Sequence, residues 1–574
     1  MALEKKFIGR RGFVAGALAT SAIAALSACG KKGDPAPAAP AGDEKAPAEE
    51  GKQPAAQESG AATQGGTLKI YRTNPASIDP FNAQEDQGIS VVYALFDTLT
   101  NFDFEAGELK PLACESWEAN EYATQFTFHL IDGAKFHNGD PVTAQDFKYA
   151  WERICNPKTT DSPSVIAYHL APVKGYDEMV AGQADALDIE CPDDLTLVVN
   201  LSASYADFPY VVSHPALSPV PSGGAAEDFQ KFFLAPVGNG AFKMDGEWVD
   251  GQYIKVVRNE DYHGEKPLID GIDFMIFKDL QTAFTEFEAG NIDITDIPTG
   301  RIGELSQRYG VSDDGYVANP GKQVINGEET STYYLAVNCQ DPAVEDKLVR
   351  QGLSLAINRQ AISDTLFEGS RVPADGIVPP GIDGYKEGAW EYSKYDVEAA
   401  KAKLDEAGLK EEGGKRDLNI TLVCNSGSGH EDIMQLIQSD FEKIGVAADI
   451  QTQEWAAYLD ALQNGDYQIG RLGWVADYPI MDNFLFPLFF TGAGDNRSQY
   501  SNPEVDDLMN KARQTVDAAE RIALFQEADK MIAEDMPLIP VMFYRHTQIA
   551  SRRVNNLYFG PTKLMNFNKV WLSE

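Results

Sequence analysis

The chain has 574 residues, of which 43% are hydrophobic and 24% charged, an ordinary globular composition that is too long for one core. Length alone suggests roughly two to four domains. The formal net charge of −39 repels nucleic acid and anionic lipid headgroups; it excludes nucleic-acid binding, and any hold on a membrane must come from an anchor.

The N-terminus supplies such an anchor. A basic stretch, KKFIGRRGF (Lys5–Phe13), leads into an apolar run from Phe13 to Ala28 that ends at Cys29. A bilayer-spanning helix needs ~20 apolar residues, and this run is shorter, laid out like an export signal. Leu26–Cys29, LSAC, resembles the lipobox of bacterial lipoproteins, so residues 1–28 read as a lipoprotein signal peptide and Cys29 as the lipidated new N-terminus. Arg10-Arg11-Gly12-Phe13-Val14 also resembles a twin-arginine export motif. Residues 29–65 are rich in Pro, Ala, Gly and Glu and lack large apolar residues, the composition of a disordered tether. As a flexible coil it spans on the order of 35 Å.

Gly66–Thr73 alternates like a first strand, and Ser90–Asp103 reads as a helix running into a loop. SWEANEYATQFTFHL suggests a hairpin; beyond it, Thr143 with Asp146 three residues on forms a box-like N-cap for a helix through Arg153. Gly271–Phe277 and the following DLQTAFTEFEAGNIDI give strand, helix, strand. A strand follows at YYLAVN, then one long amphipathic helix over VEDKLVRQGLSLAINRQAISDTL, then a helix closed by Gly408. LNITLVCN, EDIMQLIQSDFEKIG, VAADIQTQE, WAAYLDALQNG and DYQIGRLGWV form a βαβαβ unit, hence a largely parallel sheet. Ligands bind at the carboxyl ends of such strands, where Asn425 and Asp477 fall, with Trp455 close by. Asp477 sits among Gly473, Trp474, Val475, Ala476 and Tyr478, company in which a carboxylate needs a cation; Arg471 or a ligand can supply it.

Five cysteines follow Cys29, widely spaced and without CxxC; being odd in number, they leave at least one thiol unpaired within the chain. The histidines are scattered without HExxH spacing, so no metal and no other cofactor is expected. GSGH around Ser428 lacks the G-x-S-x-G of a nucleophile elbow, and no phosphate loop occurs, so the chain is not expected to be an enzyme.

ACESWEANEYATQFTFHLIDGAKFHNGDPVTAQDFKYAWERI resembles the signature segment of the peptide/nickel class of extracellular solute-binding proteins, and APVGNGAFKM, LSLAINRQAI and GWVADY extend the likeness from Gly66 to the C-terminus. TQEWAAYLD and RLGWVADYP are similar to segments that mark the oligopeptide-binding proteins of ABC transporters. The resemblance implies an α/β, two-lobe periplasmic-binding-protein-like (type II) fold with an additional inserted domain. Lobe one would comprise 66–96, 235–329 and 545–574, the extra domain 97–234, and lobe two 330–544. It implies a monomer that captures oligopeptides between the lobes and delivers them to ABC permease subunits at the outer face of the membrane. Asp477 would pair with the peptide's α-ammonium, a charge present whatever the peptide sequence. Gly473, Trp474 and Tyr544 would line the cleft; Arg471, His430 and Asn425 would meet the peptide backbone or its carboxylate end; Trp455 would be a pocket aromatic; Gln84, Glu85 and Asp86 would form the ligand-pairing segment of lobe one.

This sequence departs from the pattern in places. Val475 and Ser331 stand where relatives carry bridged cysteines, Leu462 stands at a cleft arginine, and Ser164 at a tyrosine, with Tyr168 close by. Peptide length is therefore left open. Each site residue also has a plainer reading: Asp477 paired with Arg471 or capping a turn, His430 beginning a helix, Trp474 and Trp455 packing in a core, Arg471 serving structure, residues 84–86 a solvated loop. Other ligands for the same fold are a dedicated signalling, cell-wall or dipeptide ligand, or a metal complex or haem, against which the few histidines and Asp477 argue.

Overall fold

The computed structural model describes residues 62–83, 85–160, 163–223, 228–426 and 429–573. The export segment, Cys29, Gln84 and all but the last residues of the tether lie outside them, as does the side chain of Trp455.

Three sheets organise the chain. The first has seven strands in the order Val324–Ile325, Gln548–Ala550, Ile294–Asp296, Thr67–Arg72, Gly271–Ile276, Tyr253–Arg258 and Phe242–Met244. Its centre is parallel, Ile70 standing opposite both Phe274 and Ile294. A four-stranded antiparallel sheet is built from Cys114–Ala119, Gln125–Leu130, Thr196–Asn200 and Ile189–Asp193. The third has six strands in the order Val372–Pro373, Leu538–Arg545, Glu328–Val337, Ile469–Val475, Asn419–Asn425 and Ala447–Gln453. Within it Asn419–Asn425 runs parallel to both Ala447–Gln453 and Ile469–Val475, the βαβαβ arrangement that the alternating elements imply. The first two sheets share one hydrophobic core, whereas the six-stranded sheet packs a core of its own between Tyr333 and Met542. The chain passes between the cores in two short crossings, from Ile325 to Glu328 and from Arg545 to Gln548. The crossings lie side by side: Glu328 opposes Arg545, whose Nη2 donates to Asn326 O at 2.6 Å, and His546 N donates to Gly327 O at 2.9 Å.

Local sequence explains most elements. Asp146 Oδ2 accepts from both the N–H and the hydroxyl of Thr143, at 2.8 and 2.7 Å, starting the helix Ala144–Cys155. Two expectations are corrected. Ser90–Asp103 does not end in a loop: after the helix Asp86–Leu95, Thr100–Asp103 pairs as a strand with Glu108–Pro111. The long amphipathic segment is two helices, Lys347–Ala356 and Arg359–Phe367. Asn358 breaks it, its side chain accepting from Ala361 N at 3.0 Å as an N-cap while its own N–H donates to Asp440 at 2.8 Å. The five described cysteines are free thiols, and Ser331 lies directly opposite Val475 in the sheet.

Candidate functional site

The strand Ile469–Val475 organises the site. It is paired along its whole length with Glu328–Val337, but its parallel pairing with Asn419–Asn425 stops at Gly470. From Leu472 onward its second edge has no strand partner among the described residues. A Cβ at Gly473 would lie 3.0 Å from the Tyr544 hydroxyl, so glycine lets that hydroxyl sit close against the strand.

Two cavities open around this strand, and they divide the residues singled out in the sequence. The first, of about 490 Å³, is lined by Asp477, Trp474, Tyr168, His214, Asp86 and Lys563 among others. Asn483 holds the loop that carries Asp477: its Nδ2 donates to Asp477 Oδ2 at 2.9 Å, and its Oδ1 accepts from Asp477 N and Trp474 Nε1 at 3.0 and 3.1 Å. The nearest cationic candidate is His214, with Nε2 3.8 Å from Asp477 Oδ1. Burial lowers the His214 pKa, with Asp477 opposing, so it faces Asp477 as a neutral ring. Burial also raises the Asp477 carboxyl above the usual range, against the pull of His214 and Asn483. Its side chain is 20% exposed, into the cavity. Val165 and Tyr168, 60% and 41% exposed, present apolar surface in the same place.

His169, His214 and Asp477 each place a ligand atom within 4.8 Å of the others, yet they suit no metal. His214 Nδ1 accepts the Ala216 N–H at 3.2 Å, which leaves the ring proton on Nε2, the atom facing Asp477.

The second cavity, of about 270 Å³, is lined by Arg471, His430, Tyr544, Tyr333 and Arg371 among others. Arg471 does not serve as the partner of Asp477. Its Nη2 donates to the Tyr544 hydroxyl at 3.1 Å, its Nη1 to Asn425 Oδ1 at 3.4 Å, and its guanidinium lies 4.9 Å from the Tyr333 ring centre. Arg371 stacks 4.4 Å from the Tyr544 ring centre. Arg471 Nε, Arg371 Nε and Nη1 and His430 Nδ1 are all buried without a hydrogen-bond partner among the described residues. Burial and the two guanidiniums hold His430 down to about 3, so it is neutral and the cavity's positive charge comes from the arginines. Such a cluster of unused donors suits a carboxylate.

Of the remaining residues, Asn425 is buried at the end of its strand, and His430 begins the helix His430–Glu442 while lining the second cavity. Trp455 opens the helix Trp455–Asn464. The Glu85 carboxylate is committed to structure, accepting from Ala76, Gln87 and Gly88 N–H at 2.9, 2.9 and 3.1 Å. Asp86 lines the first cavity and pairs with Lys563 at 3.2 Å. Leu462 is buried beneath Gly470 and Ser164 is buried, whereas Tyr168 reaches the cavity. Arg371, His214 and Lys563 are residues that the sequence reading misses.

Residues 108–496 match the family described as Bacterial extracellular solute-binding proteins, family 5 Middle. The "Probable deoxycholate-binding periplasmic protein YgiS" of Escherichia coli (strain K12) is 30% identical over 83% of this chain and 88% of its own. The "Periplasmic oligopeptide-binding protein OppA" of the same organism is 30% identical, over 87% of this chain and 91% of its own. Among solved structures, that of Burkholderia pseudomallei OppA matches with a TM-score of 0.74 at 26% identity, over 89% of this chain and 99% of that chain.

Proposed function

The chain belongs to family 5 of the bacterial extracellular solute-binding proteins, and from that premise we propose that it captures oligopeptides in the cleft around Asp477 and passes them to an ABC permease. The observation that carries this reading is the opposed chemistry of the two cavities. One presents a carboxylate whose pKa burial raises; the other presents arginine donors without an acceptor among the described residues. A zwitterionic chain supplies both missing partners, its α-ammonium to Asp477 and its carboxylate to Arg371 and Arg471. Between them, the open edge of Leu472–Val475 offers backbone groups to an extended ligand without reading its side chains. The relative named for a bile acid raises a second ligand class, but a bile-acid carboxylate would face Asp477 with like charge.

In this reading residues 66–96, 235–329 and 545–574 form one lobe, 330–544 the other and 97–234 the extra domain, closing about the two crossings near Gly327 and His546. The protein binds without turning its ligand over, as a monomer, and Cys29 carries its lipid anchor; Cys29→Ala is expected to release it from the membrane fraction.

Titration calorimetry with a tripeptide and its N-acetyl form tests the anchor. The free peptide is expected to bind at least about a hundredfold tighter, a difference on the order of 3 kcal/mol, and Asp477→Asn is expected to abolish that gap. Equal affinity of the two peptides for the unaltered protein would overturn the assignment of Asp477.

A further inference from the structure

A third cavity, of about 530 Å³, shares no lining residue with the two around Asp477 and Arg471. Five aromatic residues line it: Phe102, Phe104, Tyr210, Tyr316 and Tyr558. All five are only partly buried, so each keeps surface that the fold does not cover. Phe102 packs edge-on to Phe104, with ring centres 4.8 Å apart, and lies tilted against Tyr210 at 6.1 Å; Tyr316 and Tyr558 form a second group, also 6.1 Å apart.

Local structure holds these rings in place. Asp103 Oδ1 accepts from the Glu105 and Ala106 N–H groups at 2.9 and 3.0 Å, closing the turn that carries Phe104. Asp314 Oδ1 likewise accepts from Tyr316 and Val317 N–H, at 2.8 and 2.9 Å, and the Tyr316 hydroxyl donates to Glu328 O at 3.1 Å. Val317 in turn pairs with Tyr558 across two strands.

The charge around them has one sign. Glu105, Asp314 and Asp383 line the cavity, and among the described residues no lysine, arginine or histidine does. Lys569 lies 3.5 Å from Glu105, whereas Asp314 and Asp383 form no ion pair among the described residues. Elsewhere a guanidinium covers a ring, as Arg371 does Tyr544; these five rings have no such cover among the described residues. Burial first, and then neighbours that include Glu105, Asp314 and Asp103, holds the Tyr558 hydroxyl above its usual range. Burial, Asp207 and Asp383 do the same for Tyr210, against Arg521.

An anion would be repelled here, and a neutral apolar ligand would leave the carboxylates unused. A primary ammonium brings three N–H donors, more than ring faces can satisfy. A quaternary ammonium brings no donor, and its positive charge is attracted to ring faces and carboxylates alike. We propose that this cavity is a second ligand site, selective for small quaternary ammonium compounds, with the methylated head among the five rings and Asp314 and Asp383 complementing its charge. It does not depend on what Asp477 binds.

The test is titration calorimetry of the protein with choline, with ethanolamine as its primary-amine counterpart, and with the uncharged alcohol in which carbon replaces the choline nitrogen. Choline is expected to bind about tenfold or more tighter than either of the others. Phe104→Ala is expected to weaken choline about fivefold or more, and the milder Asp383→Asn about threefold. Both variants are expected to bind a tripeptide as the unaltered protein does, which shows that they fold. Asp477→Asn is expected to leave choline affinity within about twofold. Absence of choline binding, or equal affinity for choline and either comparison compound, would overturn the proposal. So would a choline affinity that falls with Asp477→Asn and not with Phe104→Ala, because the cation would then occupy the peptide cleft.

Discussion

At the scale of single residues, Asp477 sets recognition against stability. The ligand ammonium pairs with the carboxylate form, so peptide affinity is full above the raised Asp477 pKa and falls as pH drops through it. Calorimetry from about pH 7 down to about pH 4 is expected to show that loss beginning at a higher pH than an ordinary carboxylate would give. Folding runs the other way. A carboxyl raised in the folded state stabilises the fold below its unfolded pKa, and that contribution is lost as pH rises through the folded value. Asp477→Asn is therefore expected to raise the melting temperature of the protein alone at neutral pH by about 1–3 °C while it abolishes tight peptide binding. Asp97 shows the same sign without any ligand. Burial pushes its carboxyl up to about 7 despite a hydrogen bond with Tyr262, and Oδ2 lacks a hydrogen-bond partner among the described residues, with His263 Nε2 3.6 Å away. Asp97→Asn is expected to raise the melting temperature above about pH 8, by about 2–4 °C, and to change little near pH 5.

At the scale of elements, what the sequence discloses depends on whether the signal is local. The Thr143–Asp146 box is read directly because both partners lie within one helical turn. The break at Asn358 is hidden because the apolar spacing continues across it, and the side chain that starts the second helix is outweighed by that periodicity. Removing the cap with Asn358→Ala is expected to cost about 1 kcal/mol by chemical denaturation, without changing peptide preference. The site divides similarly. Asp477 stands out in a motif at a strand end, whereas Arg371 carries no motif and gains its place only when Val372–Pro373 pairs beside Leu538–Arg545 and brings it over Tyr544. His214 lies in a different sheet region from Asp477, so no spacing in the chain announces their contact. Glu85 lies in the segment read as pairing with the ligand, and its carboxylate accepts from three backbone N–H groups, a use the sequence reading does not assign to it.

At the scale of the molecule, two cores are joined by two adjacent crossings, which the two-lobe reading proposed above makes the hinge. Away from the crossings, the region of the four-stranded sheet is tied to the six-stranded body. Tyr205 donates to Asp482 at 2.7 Å, Arg521 pairs with Asp207 at 2.8 Å, and Ser204 donates to Gln514 O at 3.3 Å. Both partners of the Arg521–Asp207 pair are largely buried, so Arg521→Gln is expected to weaken the tie and lower affinity several-fold, measured by calorimetry over a panel of peptides. A loss confined to some peptides would contradict that role.

That tie has a consequence for how such a protein diversifies. In the two-lobe reading, Asp207 and Arg521 favour closure whichever peptide is inside, so changing them is expected to alter dwell time while leaving the ranking of cargoes intact. A lineage facing richer or poorer surroundings can thus adjust how long it holds its catch without relearning what to catch.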